Sequence, residues 1–389
     1  MENKKLINIE STSARIINCM KPLLCIEYCY GIFRNGVNRK YEINLRMKIL
    51  GIVITVIWLT FLITAIVCSA IILKRNFRAD EYFCYVLIGG MYMVSSINVY
   101  LSAKKNQKII EILAGVDITL FANIYGNIYK MSSRQCKLFF TFYILHFIAC
   151  VAFCFYTPGF VDKIALLFFT LIYLERKIEI IVFCQFLYMI EQRLLLIKNY
   201  LSKITYRNMY MESKKTSQFN FIGRISNNNY KIRNLARAYT KIGKVSILLN
   251  DVYNFLIIAT LASSFIMTLI VVWYFLYQYK YFNNNKFSLP MLYYVYVELA
   301  SIFVLSYYSE NITAARNGLN KLLFRITRRD DLPLTMRLQA NIFIQLTDIW
   351  TLSINVYNMF DVNFKLILKF LSICASYLIL IIQVYHLYI

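Results

Sequence analysis

Ile49–Leu73 reads ILGIVITVIWLTFLITAIVCSAIIL, twenty-five residues without a charge. Coiled into a helix it would reach roughly 37 Å at about 1.5 Å per residue. That is enough to cross the roughly 30 Å hydrocarbon core of a bilayer. Six further stretches of similar character follow, at 82–103, 138–157, 164–190, 252–277, 288–309 and 364–389. The predicted fold class is therefore all-α, a polytopic membrane protein with seven transmembrane helices. Residues 1–389 are read as a single seven-span domain. Composition agrees. Of 389 residues 59% are hydrophobic and 16% charged, where a soluble protein carries about 25% charged. Turn chemistry is sparse, with 11 Gly and 4 Pro.

The charges report orientation. The net charge is +23, and 33 of the 43 Lys and Arg lie in 1–48, 104–137, 191–251 and 310–363. The opposite flanks, 74–81, 158–163 and 278–287, hold 6. Lys and Arg concentrate on the cytoplasmic side of membrane proteins, which predicts a cytoplasmic N-terminus and an extracellular C-terminus. Basic residues strung between apolar runs are not a nucleic-acid footprint, so no nucleic-acid partner is expected. The partner implied is the lipid bilayer. The first 48 residues are polar and show no cleavable signal, so Ile49–Leu73 would act as a signal-anchor. The sequon Asn311-Ile312-Thr313 falls on the predicted cytoplasmic side and is expected to be unmodified.

Helix is expected to continue out of the fourth span through Gln192–Lys198, and to resume over Tyr230–Leu249 before the fifth. The stretch Met209–Asn229 between them reads as a loop. Leu338–Phe360 is amphipathic, with Ile342, Leu346, Ile349, Leu352 and Val356 at three- and four-residue steps, and suggests a helix along the membrane surface.

Catalytic chemistry is not expected. Two His residues, His146 and His386, stand without a nucleophile or carboxylate in a catalytic spacing. The ten Cys show neither zinc spacing nor a disulfide framework. No metal or cofactor is implied, and no enzyme activity.

The fourth span is interrupted by Glu175-Arg176-Lys177-Ile178-Glu179. A charge at mid-bilayer costs about 2.5–3.5 kcal/mol or more unless paired or wet, and so points to function. Arg176 and Glu179 are three apart and could meet on one helix face. Glu298 in the sixth span sits at similar depth. Two readings stay open: a polar cavity between spans four and six, or a structural ion-pair cluster. Aromatic residues crowd the outer halves of the spans. Phe153, Tyr156, Phe169, Tyr173, Trp273, Tyr277 and Tyr294, with Arg176 and Glu298, form a candidate ligand pocket. An interfacial aromatic belt would use the same ring types.

The chain closes with Ser376-Tyr377-Leu378-Ile379-Leu380-Ile381-Ile382-Gln383-Val384. This resembles the signature ending the last span of insect gustatory receptors: Thr-Tyr, five apolar residues, Gln-Phe. Tyr377 and Gln383 match, Ser376 replaces Thr, and Val384 replaces Phe. Length, span count, inside N-terminus and the long loop before the fifth span resemble that family too. The resemblance implies a homo- or hetero-tetrameric cation channel opened by a small tastant, in the plasma membrane of a sensory-neuron dendrite. It implies that Gln383 faces the pore near its outer gate, that Val384 sits at a hydrophobic constriction, and that Ser376 and Tyr377 pack against neighbouring helices. Leu378 stands where sugar-receptor relatives carry Glu, which argues against a sugar ligand. Insect odorant receptors share the topology. A G-protein-coupled receptor would need the opposite orientation, and a small transporter sits poorly with an odd span count and no internal repeat.

Overall fold

A computed structural model describes residues 2–34, 44–72, 79–120, 127–155, 160–212, 227–282 and 288–387. These residues form ten helices and one short hairpin: α1 (Glu2–Cys29), α2 (Leu45–Ile72), α3 (Ala79–Leu101), α4 (Ala103–Thr119), α5 (Asn127–Phe155), α6 (Phe160–Glu212), α7 (Asn227–Phe282), α8 (Ser288–Thr327), α9 (Leu334–Ile349), β1 (Asn355–Val356), β2 (Phe360–Asp361) and α10 (Phe364–Leu387). About 90% of the described residues are helical. Among the described residues, six helices are long and apolar enough to cross a membrane: α2, α3, α5, α6, α7 and α10. The described part of α8 falls short of that mark. Glu298 and Ser301, Ser306 and Ser309 interrupt its apolar run.

Three helices far exceed a bilayer. α6, α7 and α8 run 53, 56 and 40 residues, or roughly 80, 84 and 60 Å at about 1.5 Å per residue. The expected helical extensions around the long loop are therefore real, reaching to Glu212 and from Asn227. Most of that loop lies outside the described residues. α6 is the axis of the bundle: it touches α1, α2, α3, α5, α7 and α8. Its side chains Ile178, Val182, Phe183, Phe186, Leu187 and Ile190 are buried in one continuous core.

Two helices arise where the sequence reading placed polar flanks. α1 buries Ile16, Met20, Leu23 and Leu24 against the bundle. It ends at Gly31, whose φ of 78° suits a residue without a side chain. The Ile32 amide reaches back to the Glu27 carbonyl at 3.0 Å. A Cβ on Gly31 would stand 2.8 Å from the Gly51 carbonyl of α2, so the two chains meet through glycine. α4 locks to α6 through Asp117 and Arg193. Arg193 Nε donates to Oδ1 at 2.8 Å and Nη2 to Oδ2 at 2.6 Å, while the Tyr129 hydroxyl donates to Oδ2 at 2.8 Å.

The amphipathic stretch after Leu338 is helical over a shorter range than its periodicity suggests. α9 stops at Ile349 because the following backbone is tied elsewhere: the Tyr239 hydroxyl of α7 takes the Trp350 carbonyl at 2.6 Å. Asn250 donates to the Ser353 carbonyl at 3.3 Å. Leu352 adopts φ 53°, and the turn joining β1 and β2 has Tyr357 and Asn358 at φ 46° and 58°. Leu352 and Val356 are buried from this irregular segment and not from a helix face.

Candidate functional site

The charged run in α6 splits between two sides of the helix. Arg176 and Lys177 turn toward α7 and α8. Arg176 pairs with Glu298 and donates to Ser263, and Lys177 Nζ donates to Glu298 Oε2 at 2.8 Å. The Ser264 hydroxyl completes the cradle. All three charged side chains are about 95% buried or more. Two cations share one carboxylate, so the cluster carries a formal excess of one positive charge. Both cations also lie against the Tyr173 ring, Arg176 Cζ at 5.4 Å and Lys177 Nζ at 4.9 Å from its centroid. That geometry is attractive because the aromatic face is electron-rich.

Glu175 and Glu179 turn the other way, toward α1 and α3. Arg34, just beyond α1, donates from Nη2 to Glu179 Oε1 at 2.6 Å and from Nε to Glu27 Oε1 at 2.7 Å. Ser95 of α3 contacts Glu175 Oε1 at 3.0 Å and Glu179 Oε2 at 2.5 Å. The expected local meeting of Arg176 with Glu179 is thus not made. Each finds a closer partner from a neighbouring element, Arg176 in Glu298 and Glu179 in Arg34. Lone charges here would cost several kcal/mol each, and pairing is what makes them tolerable.

An aromatic and hydroxyl shell sits above the Glu298 cluster. Tyr173 meets Tyr294 edge-on at 5.6 Å and His146 at 6.5 Å. Its hydroxyl is buried without a hydrogen-bond partner among the described residues. Tyr294 shares a hydrogen bond with Thr170 at 3.3 Å. The Tyr293 hydroxyl contacts His146 Nδ1. Phe169 is buried edge-on to Tyr85 at 5.0 Å. Met267, Thr268 and Val271 of α7 close against Tyr294, Val295 and Glu298 of α8 with no room for a water-sized guest. Small-molecule pockets are commonly about 300–1,000 Å³, so this seam is closed as it stands.

Of the candidate pocket residues, Phe169, Tyr173, Arg176, Tyr294 and Glu298 come together. Trp273 is half-buried on α7. Tyr156, and the side chains of Phe153 and Tyr277, lie outside the described residues. His146, Thr170, Ser263, Ser264 and Tyr293 join the site without having been singled out for it. One signal was available: Thr170, Tyr173 and Lys177 are spaced three and four apart, one face of a helix. The first 48 residues offered no such hint for Arg34 and Glu27.

The terminal residues lie on α10. Phe370 and Cys374 pack on Ile302 in a small cluster with Leu261, Phe265, Leu299 and Ile367. Tyr377 continues that stripe, edge-on to Phe265 at 5.3 Å. Gln383 is nine residues beyond Cys374, about 900° at 100° per residue, so it projects from the opposite face. Ser376, Gln383 and Val384 are exposed in the isolated chain. The Ser376 hydroxyl is returned to the Ser372 carbonyl at 3.0 Å.

Residues 20–385 match the profile of the 7tm chemosensory receptor family. The chain belongs to that family. It is a family of receptors and not an enzyme class. Among solved structures, the chemosensory receptor is similar to the insect olfactory receptor OR5 from Machilis hrabei, with a TM-score of 0.61 and 12% identity over 96% of this chain and 99% of that one. The same receptor in complex with eugenol gives a TM-score of 0.62 at the same identity and coverage. At this identity the likeness is one of fold. No curated protein matches by sequence. A multi-pass membrane protein follows from the family and from the apolar helices.

Proposed function

We propose that this chemosensory receptor is a subunit of the gustatory type, a ligand-gated non-selective cation channel opened by a small tastant. In this reading residues 1–389 act as one seven-span unit, α8 is the additional span, the N-terminus is cytoplasmic and the C-terminus extracellular. Four subunits, identical or related, surround a pore lined by α10 in the plasma membrane of a sensory neuron. The observation that carries the reading is the placement of Gln383. In the terminal motif it stands on the face of α10 turned away from the bundle, where an amide can meet hydrated cations. Val384 beside it would form the constriction, and Ser376 and Tyr377 would fix the helix against its neighbours.

The proposed ligand site is the aromatic shell over the Glu298 cluster, Phe169, Tyr173, Tyr294 and Arg176, and the sequence adds Phe153, Tyr156, Trp273 and Tyr277 as its further candidates. The closed seam implies that the rings part to admit a ligand. OR5 was solved with eugenol, which supports a small, partly apolar organic molecule here.

The test is whole-cell recording from cells expressing the chain, alone and with related subunits, against a tastant panel with G-protein signalling blocked. A channel gives agonist-evoked cation current that persists under the block. The fold likeness to OR5 favours a second reading, an odorant-type channel. Current evoked by volatile compounds and by no soluble tastant would select it.

A further inference from the structure

We propose that Glu175 is held as a neutral carboxylic acid, and that with Ser95 and Glu179 it forms a proton-binding site fastening α3 to α6. A hydroxyl has one hydrogen to donate. Ser95 nevertheless contacts two carboxyl groups, Glu179 at 2.5 Å and Glu175 at 3.0 Å. Glu179 also accepts from the Arg34 guanidinium at 2.6 Å, which marks it as the carboxylate. A carboxylate paired with a guanidinium is the stronger acceptor of the two, so the Ser95 hydrogen points to Glu179. The longer contact then needs a hydrogen from the other side. A second one comes from a proton on Glu175 Oε1, donated to the Ser95 oxygen. The chain of donors runs from Glu175 through Ser95 to Glu179.

Charge balance asks for the same proton. Glu27, Glu175 and Glu179 share Arg34, and with all three ionised the buried knot would hold a formal excess of two negative charges. Arg176 and Lys177, the cations next along α6, are committed to Glu298. A second observation is independent of the acids' own bonds. The Tyr253 hydroxyl of α7 is buried and lacks a hydrogen-bond partner. The Tyr253 ring lies 5.2 Å under the Arg34 guanidinium. Oε2 of Glu27 is likewise buried without a partner. The knot thus has polar capacity that the carboxylates and Arg34 leave unfilled, in a place where an added positive charge is favoured. None of this depends on the channel reading.

The test uses the full-length receptor with Glu175→Gln, Glu179→Gln and Ser95→Ala, purified in detergent. Infrared spectra read the protonated-carboxyl stretch, and thermal unfolding reads the fold. The wild type is expected to show that band, Ser95→Ala to shift it, and Glu175→Gln to abolish it while keeping the wild-type unfolding temperature. Glu179→Gln is expected to unfold earlier, since it strands Arg34. If Glu179→Gln cannot be purified, the Glu175→Gln spectrum and melt still decide. A wild type without the band, a band that survives Glu175→Gln, or a Glu175→Gln protein that melts early would each overturn the proposal.

Discussion

α6 and α10 are both apolar enough to cross a membrane, with mean hydropathies of 1.7 and 2.2, yet they are used in opposite ways. In its most apolar stretch α6 is 67% buried inside the chain, whereas α10 is 11% buried. At its middle α6 carries Glu175, Arg176, Lys177 and Glu179, which find partners in Ser95 of α3, Arg34 just beyond α1, Ser263 of α7 and Glu298 of α8. α10 touches the bundle through one stripe, Ile367, Phe370, Cys374 and Tyr377, and leaves Leu368, Leu371, Ile373, Ile379 and Leu380 exposed. A helix with charges at its middle must be enclosed by its own chain, because lipid offers charges no partners. A helix that is apolar nearly all round can face lipid or another subunit. The more hydrophobic helix is thus the less buried one, since in a bilayer the need for enclosure follows polarity.

The contrast is sharpest at Glu298. Glu298→Ala would leave Arg176 and Lys177 buried and mutually repelling, a loss of about 3–5 kcal/mol. Thermal unfolding and surface expression should both fall, and a variant as stable as wild type would break the claim that α6 is held by ion pairs. Gly31→Ala should come next. It adds a Cβ at positive φ against the Gly51 carbonyl, at a cost of about 1–3 kcal/mol, read as a lower unfolding temperature. Leu380→Ala on α10 should change the melt of the isolated subunit by within about 0.5 kcal/mol. If its face meets other subunits, the fraction assembled in native gels should drop instead. Tyr173→Phe is expected to be smallest. It removes a buried hydroxyl that has no partner, which is near neutral for stability. A shifted agonist dose–response with an unchanged melt would place that hydroxyl against the ligand.

How much of this was legible in sequence follows from the same physics. α2 and α10 could be read because uninterrupted apolar runs need no partner to be recognised. The pairing of Glu298 with Arg176 and Lys177 was within reach, because helical rise sets all three at a common depth. Arg34 was hidden: its partner Glu179 is 145 residues away, and no periodicity in the first 48 residues advertises a buried base. α1 and α4 were missed for a related reason, since their buried stripes are short and flanked by Lys and Arg. Leu352 and Val356 fit a helical period, but hydrogen bonds from Tyr239 and Asn250 claimed their backbone for a turn.

α10 leaves most of its surface, Gln383 included, turned away from the bundle, and the proposed channel uses that surface as its pore wall. The most direct test is Gln383→Cys, expressed with an agonist and exposed to a cationic thiol reagent from outside, with the wild type as control. The account predicts rapid, irreversible loss of agonist-evoked current in the variant and none in the wild type. Current that survives the reagent in a variant shown by mass to be modified would contradict it.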